Sequence, residues 1–405
     1  MPMFRHEDRL GALSSDKPLK EKLIYVHQLI QEEMPFIARI SVALYDAKTS
    51  AVKTYMHSSG QEDPLSHYQI PLDDAPSLKE IFNLGRPRVV NNFAPFGRAL
   101  QEHSQRIGRS NYGASYTRPI LFNSTFVGFL FFNSLETEVF TENVLNQLDL
   151  YGHMISLQII NELATTHILT ATIKTALHMS HFRDPETGSH LDRMSRYARL
   201  IAASLAKKYH YDDNYVEHVY SFAPLHDIGK IAIPDHILLK PAPLDARELA
   251  IMKTHVSIGR EMIDNIMKYF DLGNLENIDI LRNIVEFHHE AVDGSGYPAG
   301  LRENRIPLEA RIVTVADVFD ALTSRRPYKS AWSNQEAFSW LQQMAGKKFD
   351  KDCVESLVAN RESIELIQQQ FQDDYQQFQT RSFDYPHWKP QSGSLSSISP
   401  VFLEC

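Results

Sequence analysis

The chain has 405 residues, 43% of them hydrophobic and 22% charged, with a formal net charge of −9. That length points to two or three globular domains, and the acidic balance argues against a polymeric nucleic-acid binder or a membrane-surface binder, both of which need basic faces. Two cysteines, Cys353 and Cys405, exclude a disulfide framework and a Cys-type zinc site and fit a reducing cytosol. The N-terminus lacks an apolar signal core, and the longest strongly apolar run, "FVGFLFF" at 126–132, is too short to span a bilayer. The expectation is a cytoplasmic protein with no membrane span.

In chain order, "ISVALYD" (40–46) and "VKTYMHS" (52–58) alternate apolar and polar residues around a turn and read as a hairpin. "SLKEIFNLGRPRVVNN" (77–92) reads as a short helix, a Gly-Pro break and a strand. "ASYTRPILFN" (114–123) and "TFVGFLFFNS" (125–134) read as two more strands, the second of them buried. From Phe140 to Ser180 the pattern is helical, with no proline and an apolar stripe at Leu145, Leu148, Ile155, Ile159, Leu163 and Ile173. Such a helix is either a dimer coiled coil or a packed connector. The remainder is helix-rich with Gly/Pro-marked loops, until a Ser/Pro-rich end that reads as a loose tail. The expected fold class is α+β, divided as 1–139, 140–180, 181–382 and 383–405.

The chemistry concentrates in the second half. "ETGSH" places Glu186 and His190 four apart; "LHDIGK" supplies His226, Asp227 and Lys230; "KTHVSIG" supplies His255; "FHHEAVDGSGYP" supplies His288, His289, Glu290 and Asp293; "VADVFDAL" supplies Asp317 and Asp320. Any one histidine or Glu/His pair reads equally well as an ordinary packed or solvated residue. Asp317 stands out, because an ionised carboxylate in an apolar helix is costly unless paired or metal-bound. Asp320, one turn on, reads as readily as a surface or capping acid. Taken together, the clusters predict a multinuclear metal centre, in which imidazole and carboxylate suit iron, zinc, manganese or nickel better than calcium. In "HD" a carboxylate beside an imidazole can reach from one cation to a second ~3.5–4 Å away, the spacing of two-metal phosphoester chemistry.

"HDIGK", "HHE", "DGSGYP", "GLRENRIP" and "SRRPYK", in this order between about Thr170 and Val354, resemble the HD-GYP subgroup of the HD phosphohydrolase superfamily. The resemblance implies an all-helical domain with two or three divalent metal ions, iron first and manganese as the alternative. It also implies hydrolysis of cyclic di-GMP to pGpG, and onward to GMP. Carried over by position, it implies one metal on His190, His226, Asp227 and Asp317, and a second on Asp227, His255, His288 and His289, with Asp227 and Asp317 bridging. Glu186 resembles the extra ligand of three-metal members. Lys230 would approach a phosphate, Tyr297 would face the substrate, and Arg326 and Lys329 would bind phosphate. Glu290 and Asp293 would brace the turn or orient His289 from behind. "AV" at 291–292, "PAP" at 241–243 and "FDK" at 349–351 depart from the family pattern and remove no ligand.

The pattern over about 20–150, with "GRPRVVNN" and its closing strand pair, resembles a GAF domain, which implies a regulatory small molecule or signal. The absence of cysteine there excludes a thioether-linked bilin. His57, His67 and His103 could touch a ligand but read better as surface residues. The alternatives are hydrolysis of hybrid cyclic GMP-AMP, or a catalytically silent cyclic-dinucleotide receptor signalling through a partner on the "GYP" loop. A homodimer is expected in either case.

Overall fold

The computed structural model describes residues 8–59, 67–93, 112–180, 188–270, 275, 277–324 and 331–372. The chain divides into two compact units, Met1–Leu169 with Tyr211–Asn214, and Thr170–His210 with Tyr215–Cys405.

In the first unit, α1 (Leu19–Glu33) precedes β1 (Ile37–Asp46), β2 (Ala51–Ser59), β3 (Gln69–Pro71), α2 (Pro76–Leu84), β4 (Arg88–Val90), β5 (Ala114–Phe122), β6 (Thr125–Ser134) and α3 (Glu142–Ser180). Among the described residues the strands form one antiparallel sheet in the order β3-β2-β1-β6-β5-β4. The two hairpins read from the sequence are its centre: β1 with β2, and β5 with β6 around Asn123 and Ser124, which both take positive φ.

The run 126–132 is buried because both faces of β6 are covered. Leu130 and Phe132 pack with Leu23, Val26 and Ile30 of α1 and Leu148, Ile155 and Ile159 of α3, whereas Phe129 packs with Leu78 and Ile81 of α2. This is the two-residue period of a strand sandwiched between layers. The predicted stripe of α3 is thus spent inside this unit: Leu148, Ile155 and Ile159 are buried and Leu145 and Leu163 pack against the same core. The side chain of Ile173 lies outside the described residues.

Within this core His27 is 4% exposed; its Nδ1 lies 2.7 Å from Ser58 Oγ and its Nε2 2.9 Å from the Ile37 carbonyl. Burial lowers its pKa below 6.5, against the opposing pull of the Ile37 carbonyl. The unfolded chain therefore binds the extra proton first, so stability is full above pH 6.5 and falls as the pH drops from there through the lowered folded value. The expected result is that the opening free energy of β1 and β2, from hydrogen exchange corrected for intrinsic rates, declines below pH 6.5, and that His27→Gln flattens this decline.

The second unit is helical: α4 (Gly188–Tyr209), α5 (Asp213–Phe222), α6 (Asp235–Leu238), α7 (Ala246–Met252), α8 (His255–Tyr269), α9 (Ile278–Phe287), α10 (Leu308–Thr323), α11 (Asn334–Met344), α12 (Lys351–Ala359) and α13 (Arg361–Gln370). The strand-bearing first half and helical second half give the α+β class expected from the sequence. Helix α10 packs on α4, α9 and α11, so its centre lies deep in this unit. Those contacts place the predicted blocks side by side.

Candidate metal centre

Each histidine block meets the centre at the end of an element. His190 is in the first turn of α4, His255 opens α8, His288 caps the C-terminus of α9 with His289 next, and Asp317 is in the middle of α10. His226 and Asp227 lie between two short 3-10 turns, Ala223–Leu225 and Ile228–Ala232. Their ligand atoms fall into two sets, Asp227, His255, His288 and His289 in one, and His190, His226 and Asp317 in the other; within each set the atoms lie within 4.8 Å of one another.

Hydrogen bonds fix how the imidazoles point. Nδ1 of His226 donates to the Ala223 carbonyl (3.0 Å), that of His255 to Met252 (2.8 Å) and that of His288 to Ile284 (2.9 Å). A carbonyl can only accept, so in a neutral ring the lone pair is left on Nε2. These lone pairs converge on Asp227: His226 Nε2 is 3.1 Å from Oδ2, and His255 and His288 Nε2 are 3.2 and 3.7 Å from Oδ1. His255 Nε2, His288 Nε2 and Asp227 Oδ1 are buried and make no hydrogen bond among the described residues. Acceptors facing acceptors are unfavourable in a low-dielectric interior unless a cation lies between them. The donor set therefore fits divalent metal ions, and these residues would hold them.

The local electrostatics favour the ligating protonation states. Burial opposes ionisation of Asp227, but the Lys230 ammonium, whose Nζ is 2.8 Å from Oδ2, draws its carboxyl well below the usual range. Burial lowers the pKa of His288, and burial with the neighbouring His288 and His255 lowers that of His289 well below 6.5. Both rings are thus neutral and able to ligate near neutral pH.

Tyr297 stacks on His289, with centroids 4.7 Å apart and planes at 21°, and the Lys253 ammonium lies 4.8 Å from the centre of the tyrosine ring. The loop carrying Tyr297 is held by Glu290, which is 4% exposed and accepts from the backbone N–H groups of Ala299 (2.7 Å) and Leu301 (2.9 Å). Asp293 accepts from the Ser295 N–H at 2.9 Å, and its backbone bridges to Arg302. Both acids brace the turn: among the described residues their side chains bond to the loop rather than to His289. Glu290→Ala should destabilise this unit by about 2–3 kcal/mol, since two charge-assisted bonds are lost in a buried place. Denaturant unfolding measures that loss, and the number of bound cations should not change.

Glu186, Arg326 and Lys329, like His103 and the 383–405 tail, lie outside the described residues. Lys230 is beside Asp227, and Asp317 stands 3.6 Å from His190 Nε2, in one of the two sets only. Asp320 is the main correction among the alternatives left open by the sequence. It is fully buried on the inner face of α10, whereas the Asp317 side chain is 22% exposed. Lys253 was not read from the sequence; its signal was its place two residues before His255.

Residues 186–353, most of them in the helical unit, match the family model described as HD domain. Among curated relatives, the cyclic di-GMP phosphodiesterase response regulator RpfG of Xanthomonas campestris is 44% identical over 200 residues, 49% of this chain and 50% of that protein. A cyclic di-GMP phosphodiesterase of Thermotoga maritima is 38% identical over 196 residues, 48% of this chain and 50% of its own. A 3'3'-cGAMP-specific phosphodiesterase of Vibrio cholerae is 36% identical over 191 residues, 47% of this chain and 34% of its own. The chain spans about half the length, or less, of the curated relatives it matches. Among solved structures, the phycocyanobilin-bound GAF domain of a cyanobacterial phytochrome is similar over 40% of this chain and 94% of its own, at 15% identity and TM-score 0.31, a likeness too slight to carry weight.

Proposed function

We propose that this chain is a metal-dependent phosphodiesterase that hydrolyses cyclic di-GMP to pGpG and onward to GMP. The observation that carries the reading is Asp227, whose two carboxylate oxygens face His226 on one side and His255 and His288 on the other. When bound, divalent cations in such a pair lower the pKa of water and neutralise charge growing on a phosphoester. The chain's own residues do the rest. His226, His255 and His288 are held by backbone carbonyls and need little reorganisation. Lys230, beside Asp227, would offer its positive charge to a non-reacting phosphate oxygen. The His289–Tyr297 stack, with Lys253 beside it, offers an aromatic edge to a base and a cation to a phosphate.

Iron is the metal we favour, with manganese as the alternative, and Glu186 as ligand to a third ion. Regulation belongs to the first unit, where a cavity of about 100 Å³ is lined by Val42, Val52, Ile70 and Phe131 together with Arg39 and Thr117 among others. A mostly apolar lining with a few polar groups supports a small-molecule ligand for this GAF-like unit. On α3, Leu150, Leu157 and Ile168 are exposed, which supports a homodimer through that helix. A signalling partner on the Tyr297 loop belongs to the silent-receptor alternative. Among the described residues no helix is long and apolar enough to cross a membrane; we place the protein in the cytoplasm.

Hybrid cyclic GMP-AMP is the second reading, favoured by the name of the Vibrio cholerae relative at 36% identity. Product chromatography on both dinucleotides tests the two together. Faster turnover of cyclic di-GMP supports the first reading and faster turnover of the hybrid supports the second. Metal bound without product from either leaves only the silent receptor.

A further inference from the structure

Three of the histidines that face Asp227 and Asp317 take their Nδ1 partner from the turn before them: Ala223 three residues before His226, Met252 three before His255, Ile284 four before His288. His190 differs. It is the third residue of α4 and finds its partner on another helix, where its Nδ1 lies 2.8 Å from Asp320 Oδ2. Asp320 is 0% exposed, and a buried carboxylate is costly unless saturated with donors. It is saturated here: Arg193 donates from Nε to Oδ1 (2.7 Å) and from Nη2 to Oδ2 (2.9 Å), and Ser324 Oγ lies 2.9 Å from Oδ2. Arg193 is itself anchored, through Nη1, to the Phe371 carbonyl at 2.8 Å. Phe371 follows α13 and lies beyond residue 353, where the HD match ends.

Resting on the metal-centre reading above, we propose that Asp320 is the positioning residue of this site, fixing His190 as the Nδ1–H tautomer with Nε2 turned to the metal, while Arg193, tethered to Phe371, holds Asp320 in place. A structural ion pair would need only the Arg193 fork. The carboxylate also spends a lone pair on His190, and this is the arrangement that raises the basicity of an imidazole ligand. The His190 set should therefore depend on a contact that the Asp227 set lacks.

The test uses the full chain, Asp320→Ala, Asp320→Asn and manganese as the probe. Chelator competition should show one class of manganese weakened about 10–100-fold in Asp320→Ala and the other unchanged. Asp320→Asn should lose less, because its amide oxygen still accepts from Nδ1–H. In the metal-free protein, imidazole nitrogen NMR should show His190 as the Nδ1–H tautomer and Asp320→Ala moving it towards Nε2–H. Should Asp320→Ala fail to fold, manganese affinity of Asp320→Asn decides: a smaller weakening confined to one class supports the proposal, and two classes bound as in the unsubstituted chain overturn it. Two manganese classes that bind as in the unsubstituted chain, with an unmoved tautomer, would overturn the proposal. An unsubstituted chain that binds no manganese, with the tautomer shift still present, would instead sink the metal-centre reading alone.

Discussion

Replacing Asp227 with asparagine is expected to lower kcat/KM for the cyclic dinucleotide by on the order of 10^3-fold or more, and to reduce the cations bound per chain. Asparagine keeps the shape of the residue, so the loss isolates its charge. The magnitude follows from the position. Removing one electrostatic contact to a transition state typically costs ~10^2–10^3 in rate, and Asp227, a member of the His255–His288–His289 set, also comes within 3.1 Å of His226 in the other set. Without its charge, His226, His255 and His288 converge as lone pairs on a neutral amide, and the Lys230 ammonium loses the carboxylate 2.8 Å away. Metal counting and steady-state kinetics on one preparation measure both effects. Activity within about tenfold of the unsubstituted chain would show that the shared carboxylate is not what organises the site.

The second large effect is expected at Gly229. A β-carbon there would lie 1.8 Å from the His255 carbonyl oxygen and 2.7 Å from the Gly259 nitrogen, both backbone atoms that cannot swing aside. The turn bearing His226 and Asp227 lies against α8 because this residue has no side chain. Gly229→Ala should therefore push the turn and His255 apart, costing about 1–3 kcal/mol in overpacking. Rate should fall about 10^2-fold, the usual effect of an ångström-scale misplacement. Gly259→Ala is the milder comparison: its β-carbon would meet Val285 Cγ1, a side-chain atom, at 2.7 Å and the Gly229 backbone nitrogen only at 3.2 Å. Thermal unfolding with kinetics on both variants checks the order. Equal, small effects would mean that the close approach is not what aligns the two elements.

Much of this centre was legible in the sequence because its ligands carry their own chemistry. "HDIGK" and "HHE" keep their identity whatever the surrounding packing, and the spacing of 126–132 already specified a buried strand. What stayed hidden depends on direction. Asp317 and Asp320 are three apart on one apolar helix, and only the rotation of α10 decides which is buried; Asp320, whose role the sequence left open, is the fully buried one. The stripe on α3 showed that one face would be covered, not that the unit's own sheet would cover it. Strand β3, three residues long, is too short for any alternation to show. Lys253 is unremarkable until α8 and the Tyr297 loop come together.

The most direct test uses a single purified sample of the full chain: metal content by elemental analysis, alongside chromatography of the products formed from cyclic di-GMP. The expected result is at least two divalent cations per chain and conversion of the dinucleotide to pGpG and GMP, with both lost on chelation and restored on adding manganese or ferrous iron. A chain that binds its cations stoichiometrically and leaves both cyclic di-GMP and its hybrid analogue intact would contradict it.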